Sequence, residues 1–145
     1  MTKPINRPTD LSGTTSKVPV SINGESHKMY VTVNGIDGKP LEVFASIGKA
    51  GSSVRVMADC ISRLVSCQLQ DGADPERLIR RHLIDMRGGD PTPWALGETL
   101  IHSIPDGVGK AVLRWMRQNE QAAGYKSSVS PVDEDVGEEV ASKAI

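Results

Sequence analysis

Between residues 17 and 47, apolar side chains fall at every second position. They are Val18, Val20 and Ile22, then Met29, Val31 and Val33, then Leu41, Val43, Ala45 and Ile47. A period of two predicts strands over 17–22, 27–33 and 40–47. Pro19 lacks an N–H and places the first strand at a sheet edge. Asn23-Gly24-Glu25-Ser26 predicts a hairpin turn, Asn-Gly being a strong turn signal. The run 34–40, with Gly35, Gly38 and Pro40, predicts a second turn. Three strands and two short turns make an antiparallel meander, and its apolar face needs a cover.

The cover is predicted from Ser53 onward, where the period changes. Val54, Met57, Ala58, Ile61, Leu64 and Val65 recur at three and four, which predicts a helix over 53–71 with that stripe inward. Cys60 and Cys67 fall at its margin and are expected to pack as small apolar residues. Ser52 or Ser53 suits the N-cap, and Gly72 the end. Asp74 as cap and Pro75 at the first position open a second helix over 75–86, carrying Leu78, Ile79, Leu83 and Met86. Residues 87–94 are expected to form an irregular loop. A last helix over 104–118 turns Val108, Ala111, Val112, Trp115 and Met116 inward. The predicted class is α+β: a small antiparallel sheet covered by two to three helices. So thin a sheet exposes its edges, which predicts a dimer or higher symmetric homo-oligomer.

Composition trims this picture at both ends. The 145 residues suit one domain, and the hydrophobic share of 38% is lean enough that part of the chain is expected outside the core. Residues 1–16 are polar with two prolines and read as a flexible arm. Residues 121–145 lack Leu and Phe, and Lys126 and Lys143 face Asp133, Glu134, Asp135, Glu138 and Glu139. That segment reads as a disordered acidic tail, solubilising or open to a basic partner. The domain is then 17–120. A net charge of −1 gives no case for long nucleic acid as a partner. No signal-peptide pattern or membrane-length apolar run is present, and two cysteines seven positions apart on one helix stand roughly 10 Å apart, too far to bridge. A cytoplasmic protein with free thiols is expected.

Candidate chemistry is sparse. There is no nucleophile–base pattern, no carboxylate pair and no Cys/His metal spacing, so the expectation is a protein that is not an enzyme and needs no metal or cofactor. His27, His82 and His102 are expected in surface or packing roles. Gly48-Lys49-Ala50-Gly51-Ser52-Ser53 joins the third strand to the first helix. A nucleotide-hydrolysing P-loop needs Ser or Thr after its lysine, and Ala50 stands there. Two readings remain open: the glycines only permit a sharp turn, or the free N–H groups and positive end of the helix hold an anion. In the second reading Lys49 and Arg55 add charge, Gly51 permits close approach, and Ser52 and Ser53 donate. Arg77, Arg80, Arg81 and Arg87 form a basic run with Asp74, Glu76 and Asp85 near enough to pair, the pattern of a solvated face. Asp90 and Trp94 sit in the Gly/Pro-rich loop, where Trp94 either stacks on a ring or plugs the core.

Several stretches line up with one family. Leu41-Glu42-Val43-Phe44, Gly48 to Ser52, Arg63-Leu64-Val65-Ser66, Asp74-Pro75-Glu76 and Ser103-Ile104-Pro105-Asp106 resemble, together, the TSCPD domain. That domain occurs near the C-terminus of vitamin B12-dependent ribonucleotide reductases. The resemblance covers about Tyr30 to Met116. The reductase's barrel, radical-site cysteines and CxxC tail have no counterpart here, and the family's Thr-Ser-Cys-Pro-Asp-like segment reads His102-Ser103-Ile104-Pro105-Asp106. Reductase activity therefore does not carry over. In size and layout the chain is similar to stand-alone phage anti-Thoeris sponge proteins. Those are small oligomers that bind cyclic ADP-ribose-type signals, or in some cases cyclic oligonucleotides, without cleaving them. The resemblance implies a binder of a small phosphorylated nucleotide-derived ligand, held by the Gly48–Ser53 loop and Arg55 with Arg87, Asp90 and Trp94 closing over it. The alternative it implies is an accessory, regulatory nucleotide-binding domain of a B12-dependent reductase.

Overall fold

A computed structural model describes residues 4–48, 51–89, 93–97 and 99–120. Strands β1 (Ser12–Ile22), β2 (Glu25–Ile36) and β3 (Lys39–Ile47) form an antiparallel sheet in the order β1-β2-β3. The loops between them are two residues each. Asn23-Gly24 has φ of 52° and 80°, and Asp37-Gly38 has 51° and 76°. Two left-handed residues in succession make the turn whose twist matches that of paired strands. The second turn is therefore tighter than predicted, and both flanking strands are longer. β1 also starts five positions before the predicted Lys17, because Ser12–Ser16 continues the ladder against Val31–Gly35. Those five residues carry no apolar alternation to announce a strand.

One face of the sheet is the core. Val18, Val20, Met29, Val31, Val33, Leu41, Val43, Ala45 and Ile47 are all buried, as the alternation requires. The helices α1 (Ser53–Gln70), α2 (Pro75–His82) and α3 (Ile104–Gln118) follow. A hairpin of β4 (Trp94–Leu96) and β5 (Thr99–Ile101) replaces the end of the predicted irregular loop and packs against β1. Its strands are three residues long, too short for a periodicity to emerge. Among the described residues, no helix is long and apolar enough to cross a membrane.

Two predicted stripes are corrected. The buried side of α1 is Ala58, Ser62, Val65 and Leu69, whereas Met57 is 59% and Leu64 63% exposed. Cys60 and Cys67 are exposed free thiols. Apolar residues occur on both sides of α1, and the side with the small Ala58 and Ser62 is the one that lies close to β3. Ser62 Oγ donates to the Ala58 carbonyl at 2.8 Å and so needs no water. The second correction is at α2, which stops at His82 and leaves Met86 exposed. Asp85 adopts φ 61°, and its N–H points to Asp106 Oδ1 at 2.7 Å instead of back along a helix.

α3 is buried on nearly every side, from Asp106 to Met116. Two glycines allow this. A Cβ on Gly107 would sit 2.9 Å from Met29 Cε, and one on Gly109 3.0 Å from Leu83 Cβ. Asp106 joins the layers. Its carboxylate, with no exposed surface, accepts from the N–H of Asp85, from the N–H of His102 at 2.8 Å and from Lys110 Nζ at 2.9 Å. Ser103 caps α3 by accepting from the Asp106 N–H, and its hydroxyl donates to the Met86 carbonyl.

The outer edge of β3 is occupied by side chains of α1. The Val43 N–H donates to Ser66 Oγ at 2.9 Å, and Ser66 Oγ donates to the Val43 carbonyl at 3.1 Å. Gln70 Nε2 reaches the Leu41 carbonyl at 3.3 Å. The N-terminal segment crosses the same corner. The Ile5 N–H donates to the Gln70 carbonyl at 2.7 Å. Arg7 grips Glu42 with two bonds, Nε to Oε2 at 2.9 Å and Nη2 to Oε1 at 3.0 Å, and Asn34 Nδ2 adds a third at 2.9 Å. The Arg7 guanidinium bonds, helped by Asn34, hold the buried Glu42 carboxyl below its ordinary range.

Two outcomes test this account. Asp106→Ala leaves Lys110 and two N–H groups without their acceptor and should destabilise the fold by about 3–5 kcal/mol in urea unfolding. A loss under about 1 kcal/mol would show that the carboxylate does not hold the layers together. Glu42 is lowered in the folded state, so the unfolded chain binds the proton more readily and folding stability rises with pH. Its contribution should be complete above the ordinary value of 4.5 and vanish as pH falls through the lower native value. Arg7→Gln should flatten the dependence of unfolding free energy on pH across that acid range.

Candidate functional site

The loop after β3 begins at Gly48, φ 69°, and re-enters the described residues at Gly51, φ 81°. Lys49 lies outside the described residues. Ser52 has extended backbone and is the N-cap of α1. Its Oγ accepts from the Arg55 N–H at 3.3 Å, and its carbonyl accepts from Val56. Ser53 is exposed at the first helical position. Arg55 Nη1 reaches back to the Gly48 carbonyl at 3.5 Å, a long contact that brings the guanidinium beside the loop. The first turn of α1 carries no acidic residue. The positive end of its dipole is therefore reinforced by Arg55 instead of neutralised.

A groove of about 360 Å³ runs from this helix start to the start of α3. Val54, Met57, Ile61, Ile104 and Pro105 supply its apolar surface, and Ser21, Ser53, Gly88, His102 and Ser103 its polar and backbone rim. Two helix N-termini thus open on one groove, Ser53 at one wall and the cap Ser103 at the other. The sequence offered Ser103 as a helix start and His102 as an ordinary residue. Nothing in the linear order brings either to Ser53, about fifty positions away. The packing of α3 beneath the sheet does so.

The remaining predicted site residues divide. Arg87 is exposed and adjoins Gly88, which lines the groove, so its backbone is at hand. Asp90 lies outside the described residues. Trp94 does not line the groove. It is half-buried on β4 opposite Ile101, and its Nε1 is buried with no hydrogen-bond partner among the described residues. Of the basic run, Arg80 pairs with Glu76 at 3.1 Å, and Arg77 and Arg81 are exposed on α2. That is the solvated face expected of them.

Asp85, His102 and Asp106 bring potential ligand atoms within 4.8 Å of one another. The buried member, Asp106, already faces two N–H donors and the Lys110 ammonium, which also lies 3.5 Å from Asp85 Oδ1. The cluster works as a structural clamp: a lysine supplies the positive charge that a cation would bring.

The motif residues singled out in the sequence take mostly structural parts. Ser66 satisfies the β3 edge. Asp74 caps α2 by accepting from Glu76 and Arg77, with Pro75 at the first position. Ser103 and Asp106 form the clamp. Two of these motif stretches meet at the groove: Ser53, next to the matched Gly48–Ser52, lines one wall, and Ser103, Ile104 and Pro105 line the other. Comparison with curated proteins and with solved structures returned no match. The family model for the TSCPD domain matches residues 1–116 of the 145. The chain belongs to the TSCPD domain family.

Proposed function

We propose that this protein is a non-catalytic binder that sequesters a phosphorylated nucleotide-derived signal, of the cyclic ADP-ribose or cyclic oligonucleotide type, as a phage anti-defence sponge does. One observation carries the reading. A single groove combines an apolar wall, suited to a base or sugar face, with a helix start whose charge is positive and uncompensated. A phosphate at that start would meet the first N–H groups of α1, the Ser53 hydroxyl and the Arg55 guanidinium. Lys49 lies in the same loop. The ring system would rest on Met57, Ile61 and Ile104. Arg87, beside the groove-lining Gly88, or residues of a second subunit in a homo-oligomer, would close over the exposed side. Such a protein acts in the cytoplasm, that of the host if the gene is a phage's.

Calorimetric titration with cyclic ADP-ribose and with cyclic dinucleotides should give saturable binding. The ligand should be recovered chemically intact after the protein is denatured. A charge-assisted hydrogen bond contributes about 1.5–3 kcal/mol, so Arg55→Ala and Lys49→Ala should each weaken binding by about ten- to a hundred-fold at unchanged melting temperature. Wild-type affinity in both variants would move the site elsewhere. A converted product would make the protein an enzyme. Binding of deoxynucleoside triphosphates alone would favour the accessory domain of a B12-dependent reductase.

A further inference from the structure

The helix α1 is apolar on the side that meets the sheet and apolar again on the opposite side. Val56 is 58%, Met57 59% and Leu64 63% exposed, and Cys60 and Cys67 are exposed between and beyond them. Met57, Cys60, Leu64 and Cys67 are separated by three, four and three positions, the spacing of a helix-pairing seam. A second apolar side on a helix calls for a second cover, and among the described residues nothing covers this one.

We infer that the outward face of α1 is the self-association surface of the protein, pairing antiparallel with α1 of a second copy across a two-fold axis near Ser62. The occupant follows from the seam itself. Reversing the helix about that point sets Met57 opposite Cys67 of the partner subunit and Cys60 opposite Leu64 of the partner subunit. Each large side chain thereby meets a small one, and the seam is complementary to its own reversed copy. Charge agrees with the same register. Asp59 and Arg63 flank the seam on one side, and the two-fold brings Asp59 of each helix within about one residue pair of Arg63 on the other. The dipoles agree too: α1 has no acidic residue in its first turn and no basic one in its last, and antiparallel pairing sets opposite ends side by side. Phe44, 55% exposed, shares a cleft with Arg63 and Cys67 beside the seam. The partner's flank would cover it, extending the contact toward the roughly 800 Å² per partner of a stable interface.

The inference shares Met57 with the groove, but it rests on the whole seam and is measured without ligand, and Leu64, Cys60 and Cys67 lie outside the groove, so its failure is distinguishable from that of the ligand reading. Size-exclusion chromatography with light scattering on the full chain should give twice the 15.6 kDa chain mass at micromolar concentration. Leu64→Glu and Met57→Glu should each return a single-chain mass with an unchanged far-UV spectrum, the side chains being exposed within one chain. For register, Met57→Cys in a Cys60→Ser background should form a dimer through Cys67 under copper–phenanthroline oxidation, and Leu64→Cys should do so through Cys60. A single-chain mass for the wild type overturns the inference. A multiple that survives both glutamate variants does so as well, by placing the interface elsewhere. If a glutamate variant loses its fold, the oxidation products decide: the two paired crosslinks support the seam, and their absence refutes it.

Discussion

A buried carboxylate holds this fold in register. Asp106 sits at the start of α3 with no exposure to solvent, yet three separate pieces of chain end on it. They are the turn after α2 through Asp85, the exit of β5 through His102 and the helix itself through Lys110. An isolated buried charge would be prohibitively unfavourable. Here two of the donors are backbone N–H groups that would otherwise be orphans at chain reversals, and the third is an ammonium that also donates to the Leu100 carbonyl. The arrangement explains why α2 is short. It also explains why α3 can lie beneath the sheet with glycine at Gly107 and Gly109: the helix start is pinned, and the close approach follows. The groove between Ser53 and Ser103 exists because that pinning fixes where α3 begins.

The sheet was legible in the sequence because it has one buried face and one period, and the last helix because Ser103-Ile104-Pro105-Asp106 marks its start and a helical apolar stripe follows. Alternation located three strands, the Asn-Gly pair located the first turn, and the Gly- and Pro-containing run 34–40 bracketed the second without fixing it at Asp37-Gly38. The polar start of β1 was hidden, since Ser12–Ser16 pairs by backbone alone. The hairpin of β4 and β5 was hidden because three residues cannot show a period. The stripe of α1 was misjudged for a different reason. Periodicity reports that a face is apolar and not what covers it, so Met57 and Leu64 looked like core. Ser62 and Leu69, which do face the sheet, were overlooked. At the site, Gly51, Ser52, Ser53 and Arg55 were legible because they are contiguous. His102 and Ser103 were not, because their place beside Ser53 is a product of tertiary packing.

Family membership and geometry bear on function in different ways here. Most matched positions prove to be capping and clamping residues, which preserve the architecture whatever the domain binds. The start of α1 and the matched start of α3 do both, shaping the fold and bordering one groove. Binding without chemistry is a modest demand. It asks for a positive helix start, an apolar wall and a rim of hydroxyls, and these are groups that the groove presents.

Ser66 has a consequence for how copies of this chain can meet. A three-stranded sheet with a bare rim would invite another molecule's strand, and that molecule's far rim would invite the next, giving open-ended polymers. One hydroxyl, by both donating to and accepting from the Val43 peptide, removes a rung from that ladder at the middle of β3, and Gln70 takes up the carbonyl two residues earlier. Backbone-templated growth is thereby blocked on this side. Any meeting of copies on this side is left to side-chain surfaces, which a fixed number of subunits can satisfy and then stop.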